Sequence, residues 1–163
     1  TSLQPARQKH FDDLRSHARE GAEATTLMGA ANSVAQVSRR CGSCHAAADR
    51  GPVFSGADIP EGKAITDHMQ RHQWAADRLW EGLAGPAKGN WTAGALMLLE
   101  EPMHRPGDEN VNPAVAGLSL RVHEFGAKTL GELTQAEKAQ LYGDFLVTCA
   151  SCHTATGGGP KKP

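Results

Sequence analysis

Apolar residues return at three- and four-residue steps along most of this 163-residue chain. That is the period of an amphipathic helix, not of a strand. Leu27, Ala30, Ala31, Val34 and Val37 form one stripe, which continues into Cys41 and Cys44. Leu141, Tyr142, Phe145 and Leu146 form another, which continues into Cys149 and Cys152. The most regular stretch, residues 62–83, carries Ile65, His68, Met69, His72, Ala76, Leu79, Trp80 and Leu83 on one side. Asp67, Gln70, Arg71, Asp77, Arg78 and Glu81 fall mostly on the other.

Between the stripes lie helix-ending signals. The segment ADRGPVFSGADIPEG holds Gly51, Pro52, Gly56 and Pro60 and predicts a loop. GLAGPAKGN closes the long helix, and Asn90 is placed to cap a short helix over 91–99 that Pro102 stops. The loop EPMHRPGDENVNP leads to a helix containing LRVH, residues 120–123. Thr134 followed by Glu137 is a capping box for the last helix. LRVH has an echo in LRSH, residues 14–17: His17 precedes Cys41 by 24 residues and His123 precedes Cys149 by 26. The fold expected is all-α, a bundle of about six helices containing a duplicated helical hairpin. Residues 1–58 form the first hairpin, 59–155 a four-helix segment and 156–163 a mobile Gly- and Pro-rich tail, all in one compact unit.

The cysteines change the picture. All four lie in two pentapeptides, CGSCH at 41–45 and CASCH at 149–153. A Cys-x-x-Cys pair also suits half of a four-cysteine zinc site, a thioredoxin-like dithiol or a disulfide framework. No strand pattern precedes either pair, and none of these uses requires the histidine that follows. Histidine is 8 of 163 residues, so chance rarely places one after both pairs. Covalent haem attachment accounts for the whole pattern: cysteines three apart share a helix face, so both thiols reach one porphyrin edge. The chain has only eight aromatic residues, three Trp, one Tyr and four Phe, and a bound ring system would supply apolar surface that the core lacks.

On CGSCH and CASCH the chain resembles the c-type cytochromes. The resemblance implies two haem c groups, thioether bonds at Cys41, Cys44, Cys149 and Cys152, and iron ligands at His45 and His153. It also implies a periplasmic or other extracytoplasmic location. The four helices of 61–155, with the motif on the last, resemble cytochrome c prime and the four-helix b-type cytochromes in helix order and motif position. In those proteins the residue facing the distal side of the haem comes from the first helix of the four, which here carries His68, Met69 and His72. Two histidines one turn apart on a buried face are hard to satisfy without a metal. His72 is therefore expected on the second haem, His68 on the other, with Met69 as the substitute. His17 and His123, matched by the repeat, are further candidates as iron ligands or propionate partners. Met103, 58 residues after His45, resembles the methionine ligand of the small cytochrome c fold, in which residues near 35–110 would wrap the first haem.

The function expected is electron transfer between redox partner proteins through two low-spin haems, with no catalytic group. One open distal site would instead bind nitric oxide, carbon monoxide or oxygen, as a sensor or with weak peroxidase-like activity. The chain would also serve as an oligomer or as a cytochrome subunit of a larger oxidoreductase. A net charge of −1 gives no basis for binding nucleic acid or an acidic membrane. No apolar run approaches the ~20 residues that span a bilayer.

Overall fold

A computed structural model describes residues 5–85 and 87–158. Most of the expected 156–163 tail lies outside the described residues. Among the described residues there are six helices and no strand: α1 (Pro5–Ala22), α2 (Leu27–Ala47), α3 (Ile65–Ala84), α4 (Lys88–Met97), α5 (Pro113–Thr129) and α6 (Gln135–Thr156). No helix among them is long and apolar enough to cross a membrane.

Local chemistry sets the helix ends. The Thr26 hydroxyl accepts the Gly29 N–H at 3.0 Å and starts α2. Asn112 accepts the Ala114 N–H at 2.9 Å, ahead of Pro113 at the first position of α5. The capping box is present: Thr134 Oγ1 accepts the Glu137 N–H at 3.2 Å and Glu137 Oε2 accepts the Thr134 N–H at 2.8 Å. Gly157, left-handed at φ 68°, closes α6. Two sequence expectations shift. α3 starts at Ile65, because Gly62 sits at φ 116° outside the helix. The Asp67 carboxylate accepts the Ala64 N–H at 2.9 Å instead. Asn90 does not cap α4, which begins two residues earlier; its side-chain amide donates to Glu81 Oε2 at 2.6 Å.

The two motif helices pack on each other. α2 touches α1, α3 and α6, while α6 touches α2, α3 and α5. α4 bridges α3 and α5, and α1 rests on α2 alone. α2 and α6 meet where Asn32 covers Gly143; a Cβ at 143 would collide with the Asn32 side chain. The core joins Ala35 of α2, Ala75, Leu79 and Leu83 of α3, Trp91 of α4, Val122 and Phe125 of α5, and Ala139, Tyr142 and Phe145 of α6. Each large side chain buried there stabilises the fold by roughly 1.5–3 kcal/mol.

α3 departs from its simple two-faced pattern. Trp80, expected inside, is 39% exposed and meets Phe54 edge-on. Arg78 and Glu81, expected outside, are buried. The physical reason is that α4 packs along α3 as well as α2 and α6, so the covered arc widens beyond the apolar stripe. Arg78 and Glu81 tolerate this because they pair at 2.5 Å and Asn90 satisfies the second carboxylate oxygen.

Candidate cofactor and metal site

The stripe of α6 delivers Cys149, Cys152 and His153 to the rim of a cavity of about 440 Å³. That volume lies in the range of small-molecule and cofactor sites. Val115, Val122, Phe145 and Leu146 give it apolar walls. The same cavity is lined by Met69, His72, Met103 and His104, four side chains that carry iron-ligating atoms. The chemistry of this lining fits a haem: two thiols, an imidazole, apolar walls and further thioether and imidazole donors share one cavity. Met103 belongs to this cavity, whose lining does not include Cys41, Cys44 or His45.

The first motif is positioned differently. Gly42 lies against the end of α3, where a Cβ would overlap the Leu83 carbonyl oxygen. One turn on, His45 Nδ1 bonds the Ala84 carbonyl oxygen at 2.7 Å. A carbonyl only accepts, so Nδ1 holds the proton and Nε2 keeps its lone pair. That is how a protein orients a metal-ligating histidine. A groove of about 270 Å³ runs along the stripe before Cys41, lined by Val34, Val37, Ser38 and Trp80 among others.

The two motifs lie at opposite ends of α3. His72 shares the second motif's cavity and Ala84 holds His45. These two positions are twelve residues apart (72 to 84), ~18 Å along a helix axis. No cysteine belongs to a group of three or more metal-ligating side chains among the described residues. The four-cysteine zinc reading therefore fails there. The dithiol reading fits poorly too. Burial, then the neighbouring Cys152, pushes the Cys149 thiol up to about 12. Burial also raises Cys41 and Cys152. Reactive dithiols need the opposite shift.

Three histidines converge beside the cavity. His68 and His72 of α3 have ring centroids 4.4 Å apart. His123 of α5 lies 5.4 Å from the first and 5.1 Å from the second. His123 Nδ1 donates to the Leu98 carbonyl at 3.1 Å. His68 Nδ1 lies 3.1 Å from Glu100 Oε1, although that oxygen has no aligned donor. Arg71 holds the other Glu100 oxygen at 2.7 Å. The Nε2 atoms of all three histidines are buried without a partner, a cost of roughly 1–3 kcal/mol for each. Burial is also the main reason that all three imidazoles favour the neutral form, with His72 pushed down to about 3.

Of the residues singled out from the sequence, Cys149, Cys152, His153, His72, Met69 and Met103 share one cavity. His68 and His123 stand behind His72, outside the cavity lining. Cys41, Cys44 and His45 form the separate first site on α2. His17 pairs with Glu20 at 3.0 Å on α1, so it does not share the buried surroundings of His123. Sequence reasoning missed Glu100, whose only local signal is an acidic pair after α4, and missed the meeting of His123 with the α3 histidines. The chain matches no known family, no curated protein and no solved structure.

Proposed function

We propose that the chain is a dihaem c-type cytochrome that carries electrons between redox proteins outside the cytoplasm. The observation that supports this most is the cavity at the second motif, which Cys149, Cys152 and His153 line together with Met69, Met103, His104 and apolar side chains. In this reading Cys41, Cys44, Cys149 and Cys152 hold the two porphyrins by thioether bonds. His45 and His153 would each hold an iron through an imidazole nitrogen. Bound haem supplies an iron that gains and loses one electron reversibly.

The chain's own residues do the rest. The Ala84 carbonyl fixes the tautomer and direction of His45. Val115, Val122, Phe145 and Leu146 give the second site apolar walls, which would favour the less charged state of an iron centre. Met69, Met103 and His104 line the same cavity and would be the residues available to hold the iron beside His153. Both motif helices pack on α3, whose ~18 Å span between them brings the centres within one small bundle.

The test is the optical spectrum of the purified protein, oxidised and reduced, with and without carbon monoxide. Low-spin spectra that ignore the gas are the expected result. A high-spin centre that binds carbon monoxide would mean an open iron and would put gas binding ahead of electron transfer.

A further inference from the structure

We propose that His68, His72 and His123 bind one divalent transition-metal ion of the zinc class, separate from either haem motif. The site needs no atom of CGSCH or CASCH and stands whether or not those motifs carry haem.

Its geometry comes from two helices. His68 and His72 are one turn apart on α3, hence on one face, and α5 brings His123 against them. One ring nitrogen from each histidine lies within 4.8 Å of those of the other two. In a tetrahedral zinc site with bonds of about 2.0–2.1 Å, ligand nitrogens sit ~3.3 Å apart. Small ring rotations close that gap. His68 is 4% exposed and His123 7% exposed, and the Nε2 of each has no partner. The Nε2 of His72 is likewise buried without a hydrogen-bond partner, its nearest carboxylate oxygen, Glu100 Oε1, lying 3.9 Å away, and three such buried groups in one cluster call for a physical reason. One cation satisfies all three.

The surroundings match what holds such ligands in place. His123 gives its other ring N–H to the Leu98 carbonyl. His68 Nδ1 lies 3.1 Å from Glu100 Oε1, close to but not aligned for a hydrogen bond, and Arg71 anchors the other oxygen of that carboxylate. A carbonyl or carboxylate behind the imidazole, present here for His123 and near His68, is the usual outer shell of a metal-bound histidine. Three neutral imidazoles suit zinc, copper or nickel, and leave a fourth position for water. A haem iron accepts one protein nitrogen from each face, so it cannot account for three. Only His72 of the three lines the cavity at Cys149. With His72 given to this ion, the sixth ligand at that cavity falls to Met69, Met103 or His104.

The experiment uses the full chain as purified, stripped with a chelator and titrated with Zn²⁺. Zinc and iron are counted by elemental analysis, and binding is followed calorimetrically. One tightly bound zinc per chain is expected, whatever the iron count. His123→Gln should weaken it at least 100-fold, and Glu100→Gln by 10- to 100-fold. His17→Gln, at the Glu20 pair on α1, should leave it unchanged. Circular dichroism shows whether each variant keeps its helices, and His68→Gln replaces His123→Gln if that variant does not fold. Failure of the folded wild-type chain to bind zinc, or binding that His123→Gln and His68→Gln leave intact, overturns the site. So does a change in the haem ligation spectrum on His123→Gln, which would assign the cluster to the second haem. A chain with zinc and no haem would sink the cytochrome reading and keep this one.

Discussion

His45 and Ala84 are joined by a 2.7 Å hydrogen bond between the imidazole Nδ1 and the carbonyl oxygen at the end of α3. Gly42, three residues earlier, rests on the adjacent Leu83 carbonyl. Together they dock the first pentapeptide onto α3. Gly42→Ala should force the α2 end away from α3 and cost about 1–3 kcal/mol, the range for overpacking a close contact. Thermal melting measures the loss. On the dihaem proposal, any spectral change should be confined to a haem at the first motif; CASCH already carries Ala150 at the matching place. An unchanged melting temperature would show that this contact does not constrain the motif.

Phe145 serves both the core and the second cavity. It is 1% exposed, meets Phe125 edge-on at 5.9 Å, and lines the space before Cys149. Phe145→Ala should cost about 3–5 kcal/mol in denaturant unfolding. It should also widen the cavity and, on the dihaem proposal, perturb the spectrum of a haem at the second motif while leaving one at the first unchanged. Loss of stability with no spectral change at the second motif would separate the core from the cofactor site.

The buried Arg78–Glu81 pair should behave asymmetrically. Glu81→Leu strips the partner from a cation that is 7% exposed, and a cost of about 3–5 kcal/mol is expected. Arg78→Met combined with Glu81→Leu removes both charges and should recover most of that loss. A double-mutant cycle of unfolding free energies checks it. Equal losses in the single and double variants would mean the pair matters through packing alone.

Thr134→Ala removes the N-cap of α6 and should lower the melting temperature by about 2–4 °C at neutral pH. Hydrogen bonds from Thr134 hold the Glu137 carboxyl below its ordinary 4.5. A depressed carboxyl stabilises the fold above that ordinary value and loses its effect as pH falls through the lower, folded one. The difference between wild type and variant should therefore shrink on acidification below about pH 4.5. A difference that stays constant down to pH 2 would show that the Glu137 half of the box contributes nothing.

The helix order was readable because each stripe is a local, one-helix property. Leu141 to Cys152 repeats at helical steps, and Thr134 with Glu137 marks its start. What crosses between helices was not. Arg78 and Glu81 read as outward-facing along α3, and only the packing of α4 buries them. Asn90 has the chemistry of a cap but donates to Glu81 instead. The stripe placed His68 and His72 together on α3, yet nothing within α5 marks His123 as their neighbour. Glu100, which sits 3.1 Å from His68 Nδ1, lies 32 residues from it in sequence (68 to 100). Both halves of that cluster depend on how α3, α4 and α5 meet.

The most direct test of the central claim is a count of covalently bound haem in the protein made by a host able to attach it. Pyridine haemochrome absorbance and intact mass after denaturation give that count. Two haems per chain are predicted, with one lost in Cys41→Ser/Cys44→Ser and the other in Cys149→Ser/Cys152→Ser. A chain that emerges with no covalent haem and four free thiols would contradict it.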